Sequence, residues 1–364
     1  MDRQPLPPDD ARAWLDVDLD ALRRNARRIA AHSVTRLMPV VKADAYGVGA
    51  PAVARALEGE SPWGFAVATV SEGVALREAG VTRPVLVCPP VLPAEFPAAA
   101  ASKLTLALGQ GGHVDQWKAA GGTAWHLSID TGMSRAGVRW DEVDAMHAAA
   151  LRWAPEGAFT HFMAAERGEA SMTEQEERFR FALAQLPERP LLLHAENSAA
   201  AARRQSRYDF IRPGVFLYGV GSGPGAQLLP EPVVAVRARI TDLHRVERGE
   251  SVSYDAQWIA HGSRRIATVG LGYADGYRRS LGNRAHMLLR GRRVNVVGVV
   301  TMDMSMIDVT DVPCEIGDMV TVMGADGDDV ITAEELAALV PASPYELLTG
   351  LHLRLTRRYT GAGA

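Results

Sequence analysis

Cysteine is nearly absent from this chain, and its two examples, Cys88 and Cys314, stand too far apart in sequence to form a metal knuckle or a redox pair. A disulfide scaffold is excluded, and a reducing, cytoplasmic compartment is the expectation. Long apolar runs are missing as well: no stretch approaches the roughly 20 residues that a membrane span needs. The N-terminus, MDRQPLPPDD, has acid and proline where a secretory signal has an apolar core, and Met1 to Pro8 read as a loose tail. Neither sign of charge dominates. With 39 Lys+Arg against 43 Asp+Glu, the formal net charge of -4 predicts no sequence-independent attraction to nucleic acid or to an anionic membrane. The one basic knot, Arg290 to Arg293 around Gly291, reads as a hairpin turn.

What is present is ample material for a folded core: 364 residues, 47% of them hydrophobic, with 34 glycines. That length exceeds what one core usually organises, so two domains are expected, a single elaborated barrel being the competing count. Short apolar runs recur at Leu37–Val41, Trp63–Ala68, Val85–Cys88, Leu104–Leu108, Trp125–Ile129, Ala158–His161, Leu191–His194 and Phe210–Ile211. Helical patterns lie between them. The first of these patterns puts Leu19, Leu22, Ala26 and Ile29 on one face with Asp18 as its cap; others open at Ser71 with Glu72 and at Thr173. Eight strand-helix units predict an α/β fold, an N-terminal (β/α)8 TIM-type barrel over residues 12–231, with an open doubly wound sheet as the alternative. Beyond Pro230 the pattern changes to period two at Val234, Val236, Ala238 and Ile240. Further strand-like runs follow at Ile266–Leu271, Val294–Val300 and Met319–Val322. A mainly β C-terminal domain is expected over residues 232–364, with residues 1–11 packing on it. It ends in two short helices with capping boxes, Thr332 with Glu335 and Ser343 with Glu346, the second having Pro344 at its first helical position.

In a barrel of this kind, chemistry sits just past the strands' C-terminal ends. The first strand delivers Lys42 into the glycine-punctuated turn KADAYGVG. A lysine desolvated at a buried strand's end becomes a nucleophile for a carbonyl carbon near neutral pH. Arg135 follows the fifth strand, His161 the sixth, His194 with Asn197 and Ser198 the seventh, and Arg212 with Gly214 the eighth. Taken singly, the histidines read equally well as satisfied core residues and Arg135 as a loop cation; their shared rim argues for a site. NSAA and RPGVFLYG add backbone N–H groups and a hydroxyl suited to a phosphate. A strand-end lysine beside a phosphate cradle points to pyridoxal 5'-phosphate (PLP) held as a Schiff base.

The chain also resembles the alanine racemases, fold-type III PLP enzymes, along nearly its whole length. The matching pieces, in the family's order, are VVKADAYGVG, DTGMSRAG, THF, HAENSAA, RPGVFLYG, VSYDAQW, GYADGYRR, VTMDM and PYELLTGLHLRLTRRY. The resemblance implies that Lys42 carries the cofactor and moves a proton on one face of a small amino-acid substrate. Tyr254, from the β domain of a partner subunit in a homodimer with composite sites, would serve the other face. Racemisation needs such a pair, because it removes the α-proton from one side and returns one to the other. A free tyrosine titrates at about 10, so Tyr254 needs positive charge nearby, for which His161 and Arg135 are candidates. By the same resemblance Arg212 contacts the pyridine nitrogen, and Tyr46, Ser198, Gly214 and Tyr345 hold the phosphate. His161 and Asn197 complete the cofactor set. Arg135 lies near the cofactor's phenolic oxygen. The Met302 N–H meets the substrate carboxylate, Asp303 places that turn, and Tyr273 lies beside the substrate.

Five positions depart from the family's pattern. Ser128 stands where a carbamylated lysine often orients the arginine, so Arg135 needs another partner, such as a bound anion. Val299 replaces an arginine on the approach to the site, Glu166 an aspartate, Ser343 an apolar residue beside Tyr345, and Glu196 interrupts a small-residue stretch. The leading expectation is interconversion of L- and D-alanine. A racemase for another amino acid such as serine, a barrel-type PLP amino-acid decarboxylase and a non-enzymatic PLP carrier are the alternatives. No metal is expected.

Overall fold

A computed structural model of the chain describes residues 11–361. The expected N-terminal tail lies outside them. By internal contacts the chain divides into two compact units. One holds residues 21–45 and 49–231; the other holds, of the described residues, those from 11 to 20, Tyr46–Val48 and those from 232 to 361.

In the first unit all eight expected strands form. Phe65–Val67, Val85–Val87, Thr105–Leu108, Trp125–Asp130, Gly157–Phe159 and Leu192–His194 pair in that order, each parallel to the next. Phe210–Ile211 pairs parallel with Arg36–Leu37. Bridges Val40 to Ala66 and Asn197 to Arg212 join this pair to the two edges of the six, so the ring closes as a (β/α)8 barrel and the open-sheet alternative falls. Such a ring buries its strands on both faces, which is why they read as continuous apolar runs rather than alternating ones. Its core includes Met38, Ala66, Leu86 and Phe210, with Trp63 stacked on Phe210 at 4.8 Å.

The helix Leu19–Ser33 follows the expected face: Leu19, Leu22, Ala26 and Ile29 are all buried, and Asp18 accepts the Asp20 N–H at 2.9 Å. Two helix starts differ from expectation. Thr69, not Ser71, caps Val70–Glu78, because its hydroxyl completes a capping box with Glu72. Thr173 lies inside Ala170–Ala184, whose N-terminal flank, Glu169, makes no side-chain cap.

The second unit is built on a nine-stranded sheet. Its long strand Val234–Val246 buries Val234, Val236, Ala238 and Ile240 on one face. That strand pairs antiparallel with Ala13–Asp18, Met319–Asp326 and Arg264–Val269. Ala13–Asp18 also pairs, in parallel, with Thr356–Thr360. The basic knot is the hairpin between His286–Leu289 and Arg292–Asn295. The strand expected at Val294–Val300 stops at Asn295 and continues as a single bridge from Val296 to Ile307. Ser343 and Glu346 form the full capping box at Pro344–Thr349, and Thr332 accepts the Glu335 N–H at 3.0 Å.

Candidate active site

Backbone hydrogen bonds on both sides hold the strand that ends in Lys42, among them Met38 N–H to Ile211 at 2.8 Å, Val40 N–H to Pro213 at 2.9 Å and Val41 N–H to Ala66 at 2.9 Å. Lys42 itself is exposed at the strand's end rather than buried as expected. The segment after it is a left-handed helical turn. Ala43, Asp44, Ala45 and Tyr46 have φ between 52° and 57°, and Gly47 follows at 83°. Each such non-glycine residue costs roughly 1–2 kcal/mol in this conformation, so the turn persists only where its surroundings over-determine it. Within the barrel unit Glu72 Oε1 accepts the Ala43 N–H at 2.7 Å, and Asp44 Oδ1 accepts the Ala50 N–H at 2.8 Å.

Arg212 is buried at the eighth strand's end and donates to four neutral acceptors. Its NH1 reaches His194 Nδ1 at 2.6 Å; its NH2 reaches Thr160 O at 2.8 Å, Ala195 O at 3.0 Å and His161 Nδ1 at 3.2 Å. Because guanidinium only donates, His194 Nδ1 must accept, which puts the His194 proton on Nε2. That proton points at His126 Nδ1, 2.8 Å away, leaving His126 Nε2–H facing the Glu156 carboxylate at 3.7 Å. A directed chain thus runs from Arg212 through two neutral histidines and ends at His126 Nε2, which faces a half-exposed carboxylate without hydrogen-bonding it. His194 is clamped between Phe159 and Phe210, with ring centroids at 4.8 and 4.4 Å. Burial, then the charge of Arg212, holds His194 well below the usual histidine range. Burial also lowers Arg212, to about 10, which leaves it a cation at neutral pH.

His161 is pushed down to about 3 by burial first and then by Arg212, Arg135 and Lys42. It is therefore neutral near pH 7 and cannot supply the positive charge expected of it beside Tyr254. Arg135 is exposed, and neither it, Lys42 nor Arg212 has an ion-pair partner among the described residues. Ser128 is buried without bonding to Arg135. Ser198 Oγ accepts the Gly214 N–H at 2.9 Å, which ties the two phosphate-cradle residues together. Asn197 caps the short helix Ser198–Ala201 through Oδ1 to the Ala200 N–H at 3.0 Å. Glu196 is fully buried and ion-paired to Arg204 at 3.1 Å, and Arg204 also bonds Glu176.

The β-rich unit holds the remaining residues. Tyr254 sits in a tight turn, 67% exposed, rather than packed on the sheet. The adjoining Ser253 hydroxyl donates to Val299 O at 2.7 Å. Tyr273 N–H donates to Thr301 O at 3.0 Å and Ala274 N–H to Met302 O at 2.9 Å, so one segment, 299–304, links the turns of Tyr254 and Tyr273. Asp303 is fixed twice, by Arg354 on its carboxylate at 2.7 Å and by Arg12 on its carbonyl at 2.8 Å. Tyr46 and Tyr345 are neighbours, and burial, then Tyr345, pushes Tyr46 up to about 12. Ser343, noted as a departure, caps the helix bearing Tyr345. An open cavity of about 830 Å³ is lined by Tyr273, Val299, Arg278, Arg279, Arg284 and His352, so the arginine absent at position 299 does not leave that surface uncharged.

His126 and Glu156 were not singled out from the sequence, and Glu72 was read only as part of a helix start. A histidine inside the apolar run Trp125–Ile129 was the only signal for the first.

The residues present in the barrel unit suit PLP: an amine at one strand end, unpaired cations for a dianionic phosphate and a phenolate, and a hydroxyl beside a backbone N–H. Among the described residues no group of three or more His, Cys, Asp or Glu stands where it could hold a metal ion.

Two family models match, described as alanine racemase, N-terminal domain, over residues 17–222, and alanine racemase, C-terminal domain, over residues 233–359. The chain is 38% identical to the alanine racemase of Symbiobacterium thermophilum over 96% of its own length and 98% of that protein's. Its fold matches the crystal structure of the Bacillus anthracis alanine racemase with bound L-Ala-P, with a TM-score of 0.90 and 31% identity, covering 98% of this chain and 97% of that one. It also matches the Bartonella henselae alanine racemase with covalently bound pyridoxal phosphate, with a TM-score of 0.86 and 26% identity, covering 96% of this chain and 100% of that one.

Proposed function

The chain belongs to the alanine racemase family, and we infer from that premise and from its strand-end chemistry that it is a PLP-dependent enzyme interconverting L- and D-alanine. The observation that carries the reading is the set of cations at the barrel's strand ends: Arg212 reaches the His161 imidazole at 3.2 Å, Lys42 and Arg135 are exposed after the first and fifth strands, and none of the three is ion-paired among the described residues. Such a set calls for an anionic group. When bound, PLP supplies an electron sink that acidifies the substrate's Cα–H.

We propose that Lys42 holds the cofactor and that its Nζ moves the proton on one face of Cα. The Tyr254 hydroxyl moves it on the other, supplied by the partner subunit of a homodimer. Arg212 would meet the pyridine nitrogen, and since a guanidinium keeps its proton, that nitrogen stays unprotonated. The weaker sink that results suits racemisation, because a short-lived carbanion has fewer side reactions. Ser198, Gly214, Tyr46 and Tyr345 would bind the phosphate. Arg135, the Met302 N–H, Asp303 and Tyr273 would orient the substrate. Cytoplasmic residence is part of the same reading; two free cysteines support it, and among the described residues no helix is long and apolar enough to cross a membrane.

The test is solvent-deuterium incorporation at Cα across a panel of L-amino acids. Exchange fastest with alanine is expected. A clear preference for serine would move the substrate assignment, and release of carbon dioxide from any of the panel would move the reaction class.

A further inference from the structure

The left-handed turn after Lys42 needs an anchor at its first residue, and one carboxylate from another element provides it. Glu72 Oε1 accepts the Ala43 N–H at 2.7 Å. Its Oε2 accepts the Ala68 N–H at 2.7 Å and the Thr69 N–H at 3.3 Å. A capping-box glutamate normally closes only its own helix. Here it also reaches across to the residue directly following the lysine, where Ala43 to Tyr46 are held in a backbone region that L-residues disfavour. Ala43 has no earlier left-handed residue to template it. Loss of its bond would let φ relax toward negative values and turn the Lys42 side chain away from the strand's axis.

We propose that Glu72 is a positioning residue for Lys42: it locks the entrance of the left-handed turn and so fixes the amine where it meets the cofactor. The inference rests on Lys42 being the cofactor lysine. The cap and the lock can be separated. Thr69→Ala removes the hydroxyl that accepts the Glu72 N–H at 3.2 Å and leaves the bond to Ala43 intact. Glu72→Gln keeps one acceptor oxygen, which the paired Ala68 and Thr69 N–H groups claim over the single Ala43 N–H, so the amide NH2 faces Ala43 and that anchor is the one lost.

The experiment starts with borohydride reduction of the wild-type holoenzyme and peptide mapping. PLP on the Lys42 peptide establishes the premise; PLP on the peptide of Lys103 or Lys118 overturns the cofactor reading itself. Each variant is then stripped of PLP and titrated with it, following the visible absorbance, the rate of borohydride-trappable capture and the thermal midpoint. E72Q is expected to raise the apparent PLP dissociation constant roughly tenfold and to slow capture, the loss expected for one hydrogen bond to a charged group. T69A is expected to lower the thermal midpoint while leaving both readouts unchanged. Hydrogen-deuterium exchange of the peptide spanning Ala43 should lose protection in E72Q alone. If E72Q does not fold, Glu72→Asp takes its place under the same criteria, since it keeps a charge near Thr69 but shortens the reach to Ala43. Equal effects of the two substitutions, or wild-type capture in the Glu72 variant, would overturn the proposal.

Discussion

At the scale of single residues, the chemistry of the barrel unit turns on a guanidinium surrounded by neutral acceptors. Arg212 makes four hydrogen bonds and no ion pair among the described residues, so its orientation is set by the fork geometry that lysine lacks. Arg212→Lys should therefore raise the PLP dissociation constant by roughly 10- to 100-fold, measured by absorbance titration, because an ammonium cannot serve those acceptors together. The histidines give a pH signature. His161 binds its proton at about 3 when folded, against about 6.5 for a free histidine. Between those values the unfolded chain holds more protons than the folded one, so stability is present above pH 6.5 and is lost as pH falls toward 3. His161→Gln in the cofactor-free protein should flatten the decline of the unfolding free energy measured by denaturant titration over that window, by up to about 1.4 kcal/mol per pH unit. An unchanged slope would mean that His161 is not buried neutral. The sequence showed His161, His194 and Arg212 but not their order of donation. Arg212 sets that order, and the partners that extend it, His126 and Glu156, sit in an apolar strand and a loop that carry no motif.

At the scale of elements, periodicity was readable and backbone strain was not. The eight barrel strands and the amphipathic helix from Leu19 follow from solvent-exclusion patterns alone. The left-handed turn does not, because alanine and tyrosine disfavour positive φ and the bond that anchors the turn's entrance at Ala43 comes from Glu72, a residue of another element. Helix starts are hard to place for a related reason: Thr69 directly follows the apolar run Trp63–Ala68, where the end of a strand and the cap of the next helix share one polar residue. Gly272 shows close approach of two backbones. A Cβ added there would lie 2.4 Å from Thr301 O and 2.5 Å from Met302 O. Gly272→Ala must push segment 299–304 outward, and with it the Met302 N–H proposed to meet the substrate carboxylate. The expected outcome is a higher KM for alanine and a lower thermal midpoint, with PLP binding unchanged. A normal KM would detach Met302 from substrate binding.

At the scale of the whole molecule, the parallel strand-helix unit and the β-rich unit were legible because each has its own hydrophobic grammar, continuous runs in one and alternation in the other, whereas closure of the barrel was not, since an open parallel sheet buries the same continuous runs. The pairing of Ala13–Asp18 with Val234–Val246 and Thr356–Thr360 was not, since it joins segments that sequence separates by most of the chain. The remaining question of scale is whether one chain suffices. The proposed mechanism divides its two bases between subunits, and that division makes a prediction independent of any association constant. Lys42→Ala and Tyr254→Phe should each be inactive alone, the second while still binding PLP. When the two are unfolded together and refolded as a mixture, each mixed dimer has one site with both defects and one site with none. Random pairing should then restore about one quarter of wild-type activity per total protein, since half the dimers are mixed and each has one working site of two. If Tyr254 instead acts on the Lys42 of its own chain, every site in every dimer carries one defect and mixing restores nothing. The activity of the mixture thus decides between a site shared by two chains and a site held within one.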